Sequence, residues 1–388
     1  MEISACVKYV GVNDHQVDLF EGQYKVPNGM SYNSYVILDD KIAIMDTVDG
    51  FFTEEWLNNV EQVLDGKMPD YLVIQHMEPD HSASIPAFLK KYPKVTVVST
   101  AKGFQFMEQF FPEFFAGQGL PAEQRIVAAN DGVLELGQHS LHFVYAPMVH
   151  WPEVMMTYEA TEKILFAADG FGKFGALDVE EEWTDEARRY YIGIVGKYGP
   201  QVQAVLKKAA GLDIQTICSL HGPVLKENLG FYLEKYDRWS SYQPEESGVV
   251  IAYASVYGNT RNAAEYLADV LQEKGQKTVL YDLARCDKAK AVADAFRYDR
   301  LVLAGITYNG DLFPCMRSFI EGLTERNYQN RKVAIIENGT WAPMTGKLIL
   351  GMFEKSKNLT FTETKVSIKS AMNAQNKEEI GKLAEELS

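Results

Sequence analysis

Hydrophobic and polar positions divide the chain into two parts with different patterns. In the first part, short apolar runs that are typical of buried strands follow one another closely, at residues 35–38, 42–45, 71–74, 95–98, 141–144, 164–166 and 216–220. Stretches with helical periodicity fall at residues 53–64, 84–92, 102–111 and 184–198. Because the early strands follow one another without intervening helices, a simple doubly wound sheet is excluded for this part.

The second part alternates strands and helices regularly. Apolar strands are predicted at residues 249–253, 277–281, 300–304 and 332–336, with helices that include residues 261–274 and 315–323 between them. This alternation predicts a parallel sheet with helices on both faces. A polar, proline-containing segment at residues 240–247 is typical of a linker. We therefore predict an α/β protein of two domains, residues 1–246 and 247–388.

Charge and cysteine content narrow the function classes. The chain has 38 Lys and Arg residues against 53 Asp and Glu residues, and its formal net charge of −15 argues against a nucleic acid or an anionic membrane as partner. Its four cysteines, Cys6, Cys218, Cys286 and Cys315, form no CxxC pair. A reduced, cytoplasmic setting is the expectation. No signal peptide and no run long enough for a membrane span are predicted.

Four metal-binding side chains fall within six residues, directly after the apolar run at 71–74. They are His76, Glu78, Asp80 and His81. Such side chains are costly to bury unless they pair with one another or bind a cation. The mixture of imidazole and carboxylate indicates a transition metal, iron or zinc rather than calcium or magnesium.

Three further candidate ligands, His150, Asp169 and His221, stand just past other predicted strands. Since strand ends gather at one edge of a layered sheet protein, we expect all seven side chains to meet. Seven ligands exceed the need of one tetrahedral ion, so two ions bridged by the Asp169 carboxylate are predicted. One ion would take His76, Glu78 and His150, and the other would take Asp80, His81 and His221. The remaining histidines, His15, His139 and His142, are interpreted as structural.

A phosphate-binding loop is predicted at the start of the second domain. The strand at 249–253 leads into a polar loop and a helix, and hydroxyl, amide and N–H groups at a helix N-terminus suit a phosphate. The loop has neither a Walker lysine nor a GxGxxG pattern, so the monoester of FMN fits better than a nucleoside triphosphate or a dinucleotide. The loop residues are Ser255, Val256, Tyr257, Gly258, Asn259 and Thr260.

Two later loops complete the predicted flavin site. Each begins where a strand ends and carries an aromatic residue close to a glycine, so its ring can stack on the isoalloxazine. The first loop is Thr307, Tyr308, Asn309, Gly310 and Asp311, and the second is Asn338, Gly339, Thr340, Trp341 and Ala342.

The metal and flavin patterns, in this order, resemble those of the flavodiiron proteins over essentially the whole chain. The His-x-Glu-x-Asp-His motif of that family matches residues 76–81, and its later ligands match His150, Asp169 and His221. The resemblance implies a metallo-β-lactamase-like αβ/βα sandwich followed by a flavodoxin-like domain. Related zinc hydrolases have His at the position of Glu78, which favours iron here.

The resemblance implies an oxidoreductase with FMN and two non-haem iron ions. It would reduce dioxygen to water, nitric oxide to nitrous oxide, or both. A head-to-tail homodimer, or a dimer of such dimers, would bring the FMN of one chain beside the irons of another. No appended rubredoxin domain is expected, so electrons would come from an external donor: rubredoxin, a reductase or a deazaflavin coenzyme. A dinuclear zinc hydrolase fused to a flavodoxin module is the alternative.

Three positions bear on how closely the chain follows the family. Glu21 stands where several members have a pocket histidine, and residues 337–339 differ from the usual fourth flavodoxin loop. Tyr198 lies on a segment that resembles the one lining the substrate pocket. We predict Tyr198 as a catalytic residue that donates a hydrogen bond to the substrate, with a core aromatic as the alternative.

Overall fold

The computed structural model describes residues 3–117 and 120–388, which form two compact units. The first comprises the described residues up to Tyr191 together with Pro200–Asp237, and the second comprises Ile192–Gly199 and Arg238–Ser388. The boundary predicted between residues 246 and 247 falls at the first residue of the strand Glu246–Tyr253 and stays a prediction. Within the described residues, no helix combines the length and apolar character needed to cross a membrane.

The described residues of the first unit form fifteen short strands. They are β1 (Val7–Tyr9), β2 (Val12–Asp14), β3 (Leu19–Phe20), β4 (Tyr24–Lys25), β5 (Met30–Tyr32), β6 (Tyr35–Ile37), β7 (Ala43–Met45), β8 (Tyr71–Val73), β9 (Thr96–Ser99), β10 (Arg125–Val127), β11 (Val133–Glu135), β12 (Ser140–Tyr145), β13 (Met155–Glu159), β14 (Ile164–Phe166) and β15 (Thr216–Cys218). Six form a sheet in the order β1-β6-β7-β8-β9-β10, and five form a second sheet in the order β11-β12-β13-β14-β15.

Helices separate several of these strands. They are α1 (Thr53–Leu64), α2 (Pro79–Ser82), α3 (Ile85–Lys91), α4 (Ala101–Phe110), α5 (Pro112–Gly117), α6 (Trp183–Tyr190), α7 (Gly199–Ala209) and α8 (Leu229–Ser240). The helix predicted over 184–198 is interrupted, because α6 ends at Tyr190 and a π-helical turn and a 3-10 turn follow. Helix α1 buries Trp56, Val60 and Leu64, which are spaced four residues apart on one face.

The two large sheets share one apolar core. Ile37, Met45 and Val73 of the first sheet and Phe143 and Phe166 of the second are buried in the same cluster. Both sheets are therefore covered on their inner faces, as in a sandwich. Strands β7, β8 and β9 run parallel, as do β14 and β15, so their carboxyl ends open onto shared edges.

The second unit is a parallel sheet with helices. Its strands are β16 (Glu246–Tyr253), β17 (Thr278–Asp282), β18 (Tyr298–Tyr308), β19 (Asp311–Leu312), β20 (Arg331–Asn338), β21 (Leu359–Phe361) and β22 (Val366–Ile368). Its helices are α9 (Asn259–Glu273), α10 (Lys288–Arg297), α11 (Pro314–Thr324), α12 (Thr345–Met352) and α13 (Ala374–Glu386). The main order is β17-β16-β18-β20-β21, with β22 also pairing with β20. The loops after β16, β18 and β20 therefore meet at one sheet edge.

Candidate metal centre and flavin site

The motif after β8 is positioned by buried hydrogen bonds on both sides. The Asp46 carboxylate accepts hydrogen bonds from the Gln75 N–H at 2.7 Å and from Gln75 Nε2 at 2.8 Å. Pro79 starts the short helix α2 that carries Asp80 and His81. The Thr47 hydroxyl then donates to the His81 carbonyl at 2.7 Å. These contacts hold residues 75–81 at the end of the strand, as the sequence pattern predicts.

Four of the predicted ligands converge on one point. His150 Nε2 lies 2.9 Å from Glu78 Oε2 and 3.0 Å from Asp169 Oδ2. His76 Nε2 lies 3.2 Å from Glu78 Oε2 and 3.4 Å from Asp169 Oδ2. Ligand atoms about 2.1 Å from a single ion are separated from their neighbours by roughly 3.0–3.4 Å. The four side chains therefore fit one metal ion.

The other three predicted ligands form a second group next to the first. His81 Nε2 and His221 Nε2 are 3.0 Å apart, and each lies 3.3 Å from Asp80 Oδ2. Asp169 turns its other oxygen, Oδ1, toward this group, 3.5 Å from His81 Nε2. One carboxylate thus faces both groups with different oxygens, which is the arrangement predicted for a bridging ligand.

The buried carboxylates of this cluster are poorly satisfied by protein groups. Both oxygens of Asp80 and of Asp169 are buried and accept no hydrogen bond of normal geometry from the described residues. Such oxygens are costly to bury without a compensating cation. The imidazole and carboxylate side chains, together with these unpaired carboxylate oxygens, fit a pair of transition-metal ions.

Two of the rings are oriented by partners outside the cluster. His76 donates from Nδ1 to the buried Glu153 Oε1 at 2.8 Å, and His221 donates from Nδ1 to the Ser31 carbonyl at 2.7 Å. Each bond fixes the tautomer and leaves Nε2 with its lone pair toward the cluster. Sequence reasoning missed Glu153, although a carboxylate three residues after His150 was a usable signal.

The three flavin loops of the second unit border one cavity of about 730 Å³. Thr260 is buried in the first turn of α9, where the leading N–H groups have no intrahelical partner. Asn338 Nδ2 lies 3.3 Å from Thr260 Oγ1 and so connects two of the loops. Tyr308 and Trp341 are exposed at 47% and 82%, which leaves both rings free to stack on a planar ligand.

Fourteen of the sixteen predicted flavin residues border this cavity. The two exceptions are Gly258, whose φ of 91° makes the turn into α9, and Asp311, whose carboxylate pairs with Arg317. These two residues lie outside the lining of the cavity, and their contact with the ligand stays a prediction. Ile306, Met344 and Ser370 border the cavity and were missed. Glu337 does not border it, because its carboxylate accepts from Gly346 N and Ser367 Oγ.

Comparison with known proteins agrees with this division. The ODP family beta lactamase description matches residues 30–222, and the flavodoxin domain description matches residues 250–364. A solved flavodiiron protein from Giardia intestinalis superposes with a TM-score of 0.92 at 25% identity, and the match covers 100% of this chain and 95% of that one. The chain belongs to the flavodiiron protein family. The predicted fold class, a β-lactamase-like domain followed by a flavodoxin domain, is confirmed.

Two further relatives connect this flavodiiron protein with oxidoreductases. The nitric oxide reductase of Moorella thermoacetica is 29% identical over 335 residues, which are 84% of this chain and 82% of the relative. The rubredoxin oxygen:oxidoreductase of Desulfovibrio gigas has the same fold, with a TM-score of 0.91 at 24% identity over 99% and 96% of the two chains. The prediction of an oxidoreductase is confirmed, and the alternative of a zinc hydrolase is not favoured. The predicted cofactors agree with these comparisons. The flavodoxin domain implies FMN, and the flavodiiron family is named for its two irons.

The charges of this flavodiiron protein's cluster favour a cation among its ligands. Burial would lower the pKa of His150, but its contacts with Asp169 and Glu78 raise that pKa to about 9. Burial would raise the pKa of Asp169, but the neighbouring His76, His150 and His81 hold it well below its usual range. The carboxylates thus stabilise positive charge at the place where metal ions would bind.

Aromatic rings surround the second ligand group. Phe20, Tyr32 and Tyr190 have ring centroids 5.5, 6.0 and 5.5 Å from that of His221. Tyr190 is almost fully buried, and burial raises its pKa well above the usual value. Tyr190 therefore contacts a predicted metal ligand. Tyr198 instead lies in the 3-10 turn Gly196–Tyr198, which belongs to the second unit. A catalytic role for Tyr198 stays a prediction.

Glu21 lies in the turn between β3 and β4, and its carboxyl interacts with Glu78 and His150 of the first ligand group. Loss of hydration raises the pKa of its carboxyl to about 7, with a further contribution from the charge of Glu78. This turn therefore places an additional carboxyl next to Glu78. Because the raised pKa keeps this carboxyl partly protonated near neutral pH, Glu21 adds less negative charge at the edge of the cluster than an ordinary glutamate would.

Proposed function

We propose that this chain reduces dioxygen to water, nitric oxide to nitrous oxide, or both, at two iron ions, with FMN delivering electrons from an external donor. The observation that supports this most is the shared carboxylate: Asp169 directs one oxygen to each ligand group. Glu78 supports iron, since it replaces a histidine of the zinc hydrolases. The donor is proposed to be rubredoxin, a reductase or a deazaflavin coenzyme.

The residues of the chain have separate tasks in this proposal. His76, Glu78 and His150 would hold one iron, Asp80, His81 and His221 would hold the other, and Asp169 would bridge them. When bound, two ferrous ions and one reduced FMN supply the four electrons that dioxygen takes up on reduction to two waters. Phe20, Tyr32 and Tyr190 would limit access of water to the second ligand group.

FMN would occupy the cavity between the three loops of the flavodoxin domain. The N-terminus of α9 and the buried Thr260 hydroxyl would bind its phosphate. Tyr308, whose ring contacts Phe313 edge-on, and the largely exposed Trp341 would pack on the ring system. Asn338 would position the loop that follows β20, because its side chain donates to the Ser370 carbonyl at 2.9 Å.

A direct test is rapid mixing of the reduced protein with each gas. The protein, loaded with iron and FMN, is reduced anaerobically and mixed in a stopped-flow instrument with dioxygen and, separately, with nitric oxide. Flavin reoxidation over repeated turnovers is expected with at least one gas. Stoichiometric flavin oxidation without turnover would indicate an electron carrier instead. A fully active preparation containing zinc alone and no flavin would contradict the proposal.

Weakening the outer partner of His76 is expected to loosen iron. In Glu153→Gln, the neutral amide orients the ring but supports it less strongly, so iron affinity should fall about 10-fold or more. Iron released to a ferrous chelator at increasing concentration measures the effect. Glu135→Gln, at an exposed position of β11, is the matched control and should release iron like the unmodified protein. Equal retention in both variants would remove Glu153 from the proposed site.

The proposed head-to-tail dimer can be tested by complementation. Asp169→Ala chains should keep FMN and lack iron, whereas Thr260→Ala chains should keep iron and bind FMN poorly. If FMN of one chain serves the irons of its partner, a mixed dimer contains one complete pair. Co-expression of the two variants, followed by tandem affinity purification of mixed dimers, should therefore recover reductase activity. Inactive mixed dimers that contain both cofactors would contradict the head-to-tail arrangement.

A further inference from the structure

A second cluster of metal-binding side chains lies away from the candidate metal centre. Cys6 precedes β1, His139 lies between β11 and β12, and Glu162 lies between β13 and β14. Glu162 comes before β14 and Asp169 comes after it, so the two clusters lie past opposite ends of this strand. Sequence reasoning interpreted His139 as structural and assigned no role to Cys6 or Glu162.

The three side chains offer three different ligand atoms at close range. A thiol sulfur, an imidazole nitrogen and a carboxylate oxygen lie within 4.8 Å of one another. His139 Nε2 is 3.8 Å from Glu162 Oε1, which is too far for a hydrogen bond. Glu162 Oε2 is buried and has no hydrogen-bond partner among the described residues. Hydrogen bonding within the cluster therefore does not explain why these groups converge.

His139 is held in the orientation of a metal ligand. Its side chain is only 5% exposed, and its Nδ1 donates to Asp39 Oδ2 at 2.8 Å. The same carboxylate oxygen accepts from the His139 backbone N–H at 2.7 Å. A carboxylate that accepts a hydrogen bond from one ring nitrogen fixes the tautomer. The other ring nitrogen then presents its lone pair to a metal ion, as in many zinc sites.

The surroundings of Cys6 disfavour a thiolate on balance. Loss of hydration raises the pKa of Cys6 and the carboxylates of Glu162 and Asp39 raise it further, whereas the nearby Lys8 lowers it. Glu159 is buried nearby, where its carboxylate accepts the N–H groups of Thr161 and Glu162 at 2.8 and 2.6 Å. This turn holds Glu162 at the cluster. A divalent cation would offset the excess negative charge and stabilise the Cys6 thiolate.

We propose that Cys6, His139 and Glu162 form a zinc site that is separate from the iron centre. One sulfur, one nitrogen and one oxygen ligand suit zinc, and a solvent molecule would complete a tetrahedron. Asp39 is a positioning residue, because it acts through His139. Zinc at this site would link the segment before β1 to two turns of the other sheet.

Cobalt binding provides a spectroscopic signal that the iron centre cannot produce. The full chain, already loaded with iron and FMN, is titrated with Co²⁺ and followed by difference absorption. A thiolate-to-cobalt charge-transfer band in the near ultraviolet is expected, and none of the proposed iron ligands is a cysteine. Cys6→Ser should abolish the band. Cys286→Ser, which changes another partly buried free cysteine, is the matched control and should retain it.

Variants of the other residues test whether Co²⁺ binds to the whole cluster or to the Cys6 thiol alone. Glu162→Gln and Asp39→Asn should each weaken Co²⁺ binding by about 10–100-fold. Unchanged iron and FMN contents confirm that these variants are folded. The proposal is overturned if the unmodified protein gives no thiolate band, if the band persists in Cys6→Ser, or if Glu162→Gln binds Co²⁺ with unchanged affinity.

Discussion

Asp169→Ala is expected to lose both iron ions and at least about 100-fold of the reductase activity, while FMN binding is retained. The reason is geometric, since Oδ2 of this carboxylate faces His76 and His150 and Oδ1 faces His81. Removal of an outer partner of a metal ligand already costs roughly 10–100-fold in metal affinity. Loss of a carboxylate shared by two ions should cost more.

Iron and flavin contents of the purified variant measure this effect together with turnover on each gas. Asp178→Ala is the matched control, because it removes an exposed carboxylate that pairs with His15. Asp169→Ala protein that keeps two irons would rule out the bridging role. Loss of FMN together with iron would instead show that the two cofactor sites depend on each other, or that the variant is misfolded.

Thr260→Val is expected to weaken FMN binding by about 10–100-fold with the iron content unchanged. The substitution preserves the shape of a buried side chain but removes the hydroxyl proposed to bind the phosphate. A hydrogen bond to a charged group contributes about 1.5–3 kcal/mol, which corresponds to this range of affinity. Without bound flavin, electrons from the donor should no longer reach the irons, so turnover should be lost at low FMN concentration.

Quenching of FMN fluorescence during titration of the flavin-free protein measures the affinity. Thr278→Val serves as the control, since the Thr278 hydroxyl contacts Gln272 at the surface and lies outside the cavity. Recovery of turnover by excess FMN would support a pure binding defect. An unchanged dissociation constant would exclude Thr260 from the phosphate site.

Local sequence patterns were sufficient for the strands that precede the metal and flavin residues, but they did not predict short strands such as β1 to β5 and β13. The apolar run before His76 became β8, and the helix predicted at 53–64 was observed as α1 with the same bounds. The predicted metal and flavin residues directly follow such apolar runs. Since the carboxyl ends of strands gather at one edge of a sheet, their positions in the sequence were enough to predict that they lie near one another. Asp311 also follows a strand, but it pairs with Arg317 and does not border the cavity, so its contact with the flavin stays a prediction.

The sequence by itself determined which segments carry the metal and flavin chemistry, since periodicity and strand ends depend on neighbouring residues. Only the tertiary structure decided which oxygen of Asp169 faces which group, that Glu153 orients His76, and that Tyr190 lies beside His221. It also brought Cys6, His139 and Glu162 together from three segments without a shared motif. Such contacts join residues far apart in the chain, and they arise from the packing of two sheets rather than from local preferences.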